Sequence, residues 1–166
     1  MNQEYSSKDT SIPNISRAIS FYRDKIGFRK GSVVLDYGGG RYDRAIEDAK
    51  KHGYKLVVYD PFWRTDAYNR ASIETFKRSP DYITCGNVLN VIKENYIVED
   101  VVRKIHSLAR KGTVVIFSVF ERNKSGKGEL TSKGWQRNEK TDAYLPLIRR
   151  YFPNTIKMQN VIICQK

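Results

Sequence analysis

The segment SVVLDYGGGRYDRA, residues 32–45, constrains the fold more than any other part of the sequence. An apolar run ends at Asp36, three consecutive glycines follow, and a charged amphipathic stretch begins at Arg41. A continuous apolar run bounded by a turn signal predicts a buried strand. Glycines before a helix let a ligand approach the backbone and the free N–H groups of the first helical turn. The segment therefore predicts a strand, turn and helix that hold a nucleotide-like ligand.

Strands and helices alternate along the rest of the sequence. Further strands are predicted at YKLVVYDPF, PDYITCGNV and TVVIFSVF, with one or two closing strands in TIKMQNVIICQK. Helices are predicted from Ser11 or Asn14 to about Gly27, over 41–53 and 71–78, in NVLNVIKEN and IVEDVVRKIHSLARKG, and in TDAYLPLIRRYF. Such alternation requires crossover connections. We expect an α/β, Rossmann-like, doubly wound fold, with a mostly parallel sheet, helices on both faces and a C-terminal antiparallel strand.

The length of 166 residues predicts one domain over 1–166, large enough to bury its own core. We expect a mobile arm at 1–13 and a basic loop or hairpin insertion at 121–140. Two distant cysteines and two scattered histidines match neither a disulfide framework nor a metal site. The N-terminus has no apolar signal-peptide region, and no apolar run reaches the roughly 20 residues of a membrane span. These features predict a cytoplasmic protein without a metal or a membrane partner.

The carboxylate before the glycines distinguishes between two classes of ligand. A dinucleotide fingerprint requires a third glycine where this chain has Asp43. Asp36 lies two residues before Gly38, where a negative charge suits an ammonium group and would repel a pyrophosphate. Asp60 lies twenty residues after Gly40 and predicts a carboxylate for the ribose hydroxyls, with Pro61 and Phe62 beside the adenine. We therefore expect S-adenosylmethionine as the cofactor.

The segments VLDYGGGRYD, VVYDPF and DYITCGNVLNVI resemble the class I S-adenosylmethionine-dependent methyltransferase superfamily. They are particularly similar to small bacterial and phage methyltransferases, some of them associated with DNA phosphorothioation. The resemblance implies a methyltransferase in which the glycine turn contacts the methionine part and residues 85–88 face the substrate. The predicted cofactor-binding residues are Asp36, Tyr37, Gly38, Gly39, Gly40, Asp60, Pro61, Phe62, Cys85, Gly86 and Asn87. Gly39 replaces a more usual Cys or Ser, and Tyr42 stands where a small residue is common.

The motifs that normally identify a methylated base are missing. The Asp/Asn-Pro-Pro-Tyr/Phe motif of amine methylation does not follow the third predicted strand. Cys85 lacks the preceding proline of a C5-cytosine nucleophile, so a packed thiol is the better interpretation. No catalytic residue is predicted; Asn87 and Asn90 are the candidates for polar contacts with the acceptor.

The formal net charge of +12 favours a phosphate-bearing partner. Basic residues with a tryptophan follow the fourth strand, and such a set can follow a phosphate backbone while the ring stacks on a base. The predicted substrate-binding residues are Arg122, Lys124, Lys127, Lys133, Trp135, Gln136 and Arg137. We expect a nucleic-acid methyltransferase, with DNA ahead of RNA. The alternatives are a small-molecule or protein methyltransferase and a catalytically inactive module that binds the cofactor or nucleic acid. No oligomeric state is predicted.

Overall fold

The computed structural model of the protein describes residues 3–166. Five α-helices and eight strands are found in this part of the chain. In chain order they are α1 (Arg17–Lys25), β1 (Val33–Tyr37), α2 (Arg44–Lys51), β2 (Lys55–Tyr59), α3 (Asp66–Arg78), β3 (Tyr82–Gly86), α4 (Asn95–Leu108), β4 (Val114–Ser118), β5 (Glu129–Thr131), β6 (Gly134–Gln136), α5 (Leu145–Tyr151), β7 (Asn154–Met158) and β8 (Val161–Gln165). Short 3-10 helices cover Lys8–Thr10, Leu89–Val91 and Thr141–Tyr144.

Six of the strands form one sheet in the order β2-β1-β3-β4-β8-β7. The four strands β1 to β4 are parallel, whereas β8 pairs antiparallel with both β4 and β7. The strand order reverses between β1 and β3, and ligands of open α/β sheets bind at the carboxyl ends of the strands near this reversal. The predicted fold class, including its C-terminal antiparallel strand, is confirmed.

Helices cover both faces of the sheet. On one face, α1 and α2 bury Ile19 and Ala49 against Val34 of β1. On the other face, α3, α4 and α5 pack on the sheet around Leu35 and Ile83. Burial of these apolar side chains is the main stabilising contribution and fixes the sheet edge on which the site is built.

Several predicted helix boundaries are wrong, each for a local reason. The first helix begins at Arg17, after an extended Ser16, and α2 begins at Arg44 because the glycine loop continues through Asp43. The third helix begins earlier than predicted, at Asp66, because the Thr65 hydroxyl accepts a hydrogen bond from Tyr68 N at 3.2 Å and caps it.

The predicted helix in NVLNVIKEN is also wrong. Only Leu89–Val91 form a 3-10 turn. Asn87 has a φ of +61°, which is left-handed and not helical. Asn90 O accepts a 2.9 Å hydrogen bond from the Arg137 N–H instead of an intrahelical donor. This long-range bond replaces the helical ladder.

The predicted arm at 1–13, of which residues 1 and 2 lie outside the described residues, and the predicted basic loop or hairpin at 121–140 both lie beside the carboxyl edge of the sheet. Residues 3–13, called the arm below, contain the 3-10 helix Lys8–Thr10; the mobility of the arm stays a prediction. The 121–140 segment contains the β5–β6 hairpin, which pairs Glu129 with Gln136. Within residues 3–166 no helix is both long and apolar enough to cross a membrane.

Candidate cofactor and acceptor site

A cavity of about 740 Å³ lies at the carboxyl ends of β1 to β4. Its floor is the glycine turn after β1 and the loops that follow β2 and β3. The arm and the tip of the β5–β6 hairpin form its roof, with Lys8 and Ser11 from the arm and Lys133 from the hairpin in the lining. The volume falls within the range of about 300–1,000 Å³ that is typical of small-molecule sites.

The glycine turn approaches its neighbours too closely for side chains. Gly38 has φ +82, and a Cβ there would lie 2.4 Å from Val88 Cγ2. A Cβ on Gly39 would lie 2.4 Å from Asp36 Oδ2 and 3.0 Å from Val58 Cγ1. Because both positions exclude a side chain, the turn presents bare backbone to the cavity.

Asp36 is buried at the end of β1, beneath this turn. Its Oδ1 accepts a 2.8 Å hydrogen bond from Thr84 Oγ1 on the neighbouring strand β3. Burial raises the pKa of Asp36 to about 6, the Thr84 hydrogen bond opposes this rise, and the charge of Asp60 adds to it. The carboxylate is therefore costly to ionise unless a positive charge is nearby.

Asp60 organises the loop after β2. Its Oδ2 accepts a 2.8 Å hydrogen bond from Gly40 N, and its Oδ1 accepts hydrogen bonds from Phe62 N and Trp63 N at 2.9 and 3.0 Å. Since Oδ1 already has two donors, Oδ2 is the oxygen with remaining capacity for a ligand. A ribose contact would therefore involve mainly Oδ2 of this carboxylate.

Arg64 holds the glycine turn against the loop after β2. Its Nε donates to Gly40 O at 3.0 Å, and one of its terminal nitrogens donates to Asp43 Oδ1 at 2.7 Å. Asp43, noted in the sequence only as the missing third glycine, thus has a structural partner. Because its partner is distant in sequence, no local signal identified this contact.

The structure brings nearly all the predicted cofactor residues to the cavity. Ten of the eleven line it, and Cys85 does not. The Cys85 side chain is fully buried in the core on the α4 side of the sheet, and burial raises the pKa of its thiol. Both candidates for acceptor contacts, Asn87 and Asn90, line the cavity.

Most of the predicted substrate-binding residues are engaged within the protein. Arg122, Lys133 and Gln136 line the cavity, whereas the other four do not. Arg122 pairs with Glu129, and Lys124 lies 3.3 Å from Glu121.

Arg137 is engaged more extensively. It donates to Ile92 O at 3.0 Å, to Lys93 O at 3.2 Å and to the side chain of Asn95, and it pairs with Glu139 at 2.9 Å. Lys127, Lys133 and Lys140 of the same segment remain exposed.

Trp135 fastens the arm to the hairpin. Its ring stacks on Tyr5 with a centroid separation of 5.6 Å and an interplanar angle of 7°. Lys93 Nζ lies 5.1 Å from the Tyr5 ring and 5.2 Å from the Trp135 ring, and it pairs with Glu4 at 2.6 Å. This role was not predicted because the stacked partner lies 130 positions away in the sequence.

Trp63 provides a second attachment for the arm. Its Nε1 donates to Lys8 O at 2.8 Å, and Lys8 Nζ lies 4.8 Å from its ring centroid. The arm is therefore held on both sides of the cavity.

The charges of the cavity fit the expected cofactor. Within residues 3–166, Asp36 and Asp60 are buried and neither forms a salt bridge with a basic side chain. The ammonium and sulfonium groups of S-adenosylmethionine would supply the missing positive charge. The backbone around Gly38 to Gly40 leaves room for its methionine part, and Oδ2 of Asp60 could accept from its ribose.

Solved structures share this fold at low sequence identity. A 1,6-didemethyltoxoflavin-N1-methyltransferase from Burkholderia thailandensis, with bound 1,6-didemethyltoxoflavin and S-adenosylhomocysteine, matches 90% of this chain and 76% of its own, at 18% identity and a TM-score of 0.63. A sugar N-methyltransferase from a Streptoalloteichus species matches 97% and 87%, at 8% identity and a TM-score of 0.56. A TehB-like methyltransferase from Corynebacterium glutamicum matches 92% and 89%, at 15% identity and a TM-score of 0.52.

The sequence itself matches a family model. No curated protein matches the chain in sequence. The model described as "Methyltransferase domain" matches residues 12–154, which include the glycine turn, the loops after β2 and β3 and the hairpin. The chain therefore belongs to the methyltransferase-domain family and is an enzyme with S-adenosylmethionine as its cofactor.

Proposed function

We propose that the enzyme transfers the methyl group of S-adenosylmethionine to a small molecule bound beneath the arm and the hairpin. The observation that carries the proposal is the roofed cavity, to which the arm is fastened by the Tyr5–Trp135 stack and by the Trp63–Lys8 hydrogen bond. A long polymer needs an open groove lined by free basic groups. Here three of the six basic side chains in residues 121–140, those of Arg122, Lys124 and Arg137, are engaged with the protein itself.

Two neighbours support a small acceptor. The Burkholderia enzyme is named for N1-methylation of 1,6-didemethyltoxoflavin, which its structure contains, and the Streptoalloteichus enzyme is named for N-methylation of a sugar. Both names describe small molecules, and both proteins share the fold of this chain over most of their own length.

The residues of the site supply binding, orientation and exclusion of water. When bound, S-adenosylmethionine supplies an electrophilic methyl group. Asp36 and Asp60 would hold the cationic and ribose parts of the cofactor, and the bare backbone of the glycine turn would contact its methionine part. Asn87 and Asn90 contact the acceptor from the loop after β3, so that the acceptor atom is aligned with the methyl group. No side chain is assigned as a general base.

A nucleic acid, with DNA ahead of RNA, is the second candidate acceptor. The net charge of +12 and the resemblance to small bacterial and phage methyltransferases favour it. We also propose a cytoplasmic location, which is supported by the two free, buried thiols of Cys85 and Cys164.

The experiment that separates the two candidates is transfer of a labelled methyl group. The protein is incubated with radiolabelled S-adenosylmethionine and, separately, with a small-molecule extract, DNA and RNA. We expect label in the extract, and loss of that label in the Asp60→Ala variant. Label in DNA or RNA alone would contradict the small-molecule proposal and favour the second candidate, which also predicts nucleic-acid binding that weakens steeply with salt.

A further inference from the structure

Two side-chain amides that line the cavity contact each other. Asn90 follows β3 in the 3-10 turn, and Gln136 ends β6 of the hairpin; both line the cavity. Asn90 Nδ2 donates a 3.1 Å hydrogen bond to Gln136 Oε1. The two amides therefore act as a joined pair from two different elements.

The backbone around the pair is fixed. Arg137 N donates to Asn90 O at 2.9 Å, directly beside the amide contact. The Arg137 guanidinium then donates to the carbonyl oxygens of Ile92 and Lys93. These bonds clamp the end of β6 onto the turn after β3, so the positions of both amides are determined before a ligand binds.

The amide pair has one unused acceptor and one unused donor. Asn90 is 1% exposed, and its Oδ1 has no hydrogen-bond partner within the described residues. The same part of the chain provides no acceptor for Gln136 Nε2, whose amide uses only its oxygen. Buried polar groups in folded proteins are nearly always paired, so the Asn90 oxygen indicates a ligand group that completes it.

We propose, on the basis of the function proposed above, that Asn90 and Gln136 recognise a lactam edge, which is an N–H beside a carbonyl in a planar nitrogen heterocycle. The N–H donates to Asn90 Oδ1, and the neighbouring carbonyl accepts from Gln136 Nε2. A carboxylate offers two acceptors and would face the Asn90 oxygen unfavourably, whereas an ammonium group offers only donors and leaves Gln136 unpaired.

The walls of the cavity favour a flat ring at this position. Phe120, which follows β4, lines the cavity while 56% of its surface is exposed. Val91 and Ile92 add apolar surface beside Asn90. An aromatic side chain in the same cavity as an amide pair suits a planar heterocycle, because the ring packs on its face and forms hydrogen bonds along its edge.

Uracil is the probe for this edge, and 1,3-dimethyluracil is its matched control because it keeps both carbonyls and lacks both N–H groups. Binding to the complex of protein and S-adenosylhomocysteine is measured by ligand-observed NMR up to about 10 mM, since fragments of this size bind in about the millimolar range. The variant Gln136→Glu removes the donor and keeps an acceptor for Asn90. Gln159→Glu makes the same change in the β7–β8 turn.

We expect uracil to bind at least about tenfold more tightly than 1,3-dimethyluracil. Gln136→Glu should raise the Kd of uracil by about tenfold. The Kd of S-adenosylhomocysteine should stay unchanged, which shows that the variant is folded. Gln159→Glu should change neither the Kd of uracil nor the Kd of S-adenosylhomocysteine.

The proposal would be overturned by any one of three results: equal binding of uracil and 1,3-dimethyluracil, no binding of uracil, or wild-type uracil affinity in Gln136→Glu. The outcomes are separable from those of the labelled-transfer experiment. Label in nucleic acid alone refutes the small-molecule acceptor, but the uracil result still decides whether the amide pair recognises a lactam edge, free or within a nucleobase.

Discussion

Thr84 Oγ1 donates a 2.8 Å hydrogen bond to Asp36 Oδ1 between two neighbouring strands, and both residues are buried. This bond partly offsets the cost of burying a carboxylate where the described chain provides no positive partner. It thereby connects the titration of Asp36 to the affinity for a cationic cofactor.

Cofactor affinity should fall as the pH drops through about 6. Asp36 has its pKa raised to about 6 mainly by burial, and only its ionised form attracts the cofactor cation. The Kd of S-adenosylhomocysteine, measured by calorimetry between pH 5 and pH 8, should therefore rise below about pH 6. In Thr84→Val the lost donor should move this midpoint to higher pH, whereas the remote Thr155→Val should not. An unshifted midpoint in Thr84→Val would contradict the coupling.

The variant Asp36→Asn should stabilise the ligand-free protein at neutral pH. A carboxyl whose pKa is raised from 3.8 to about 6 on folding binds its proton more tightly in the folded state, so its contribution to stability declines as the pH rises between these values. At pH 7 the cost is about 2–3 kcal/mol. Urea unfolding should show a higher free energy for Asp36→Asn at pH 7.5, and a smaller difference near pH 4. A less stable variant at pH 7.5 would refute the assigned burial cost.

The variant Gly39→Ala should impair cofactor binding. Its Cβ would lie 2.4 Å from Asp36 Oδ2 and 3.0 Å from Val58 Cγ1, so the carboxylate or the turn must shift. We expect the Kd of S-adenosylhomocysteine to rise at least about tenfold. Gly112→Ala is the control: it has φ +90, precedes β4 far from the cavity and meets no atom within 4 Å. It should cost about 1 kcal/mol of stability through backbone strain and leave the Kd unchanged. Equal Kd values of Gly39→Ala and Gly112→Ala for S-adenosylhomocysteine would contradict the steric explanation.

Removing the Trp135 ring should release the arm from the hairpin. The stack with Tyr5 and the contacts of Lys93 with both rings each contribute about 0.5–1.5 kcal/mol. In Trp135→Ala we expect labelled S-adenosylhomocysteine to dissociate up to about tenfold faster, whereas Tyr96→Ala on the exposed face of α4 should match the wild type. Hydrogen exchange of residues 3–13 should also rise in Trp135→Ala. Unchanged dissociation of S-adenosylhomocysteine and unchanged exchange of residues 3–13 would show that the Tyr5–Trp135 stack does not hold the arm over the cavity. Hydrogen exchange of the same residues in the wild type tests the predicted mobility of the arm.

The features that sequence reasoning identified are local in the chain. The glycine turn follows Asp36 directly, and Asp60 ends the next strand, so a strand, a turn and a fixed spacing were sufficient to place both at one edge of the sheet. The helix starts were less predictable for two different reasons. Thr65 caps α3 through a local contact with Tyr68 that was overlooked in the sequence. The bond from Arg137 to Asn90 is long-range and takes the place of a helical hydrogen bond.

The features that were missed depend on distant partners. Thr84 meets Asp36 across 48 positions, and Trp135 meets Tyr5 across 130. Counting lysines and arginines gave the net charge but not the pairing of individual side chains. Arg137, expected to contact phosphate, holds the loop after β3 instead. Such pairing depends on tertiary packing, which neither composition nor periodicity records.

The most direct test of the cofactor site is the affinity of Asp36→Asn for S-adenosylhomocysteine at pH 7.5. The substitution preserves shape and the acceptor for Thr84, and it should stabilise the fold, so weaker binding cannot be attributed to unfolding. Calorimetry should show one site in the wild type and a Kd at least about tenfold higher in the variant, because an uncharged amide replaces the carboxylate that faces the cofactor cation. Equal affinity in the two proteins would contradict the assignment of Asp36 to the cofactor site.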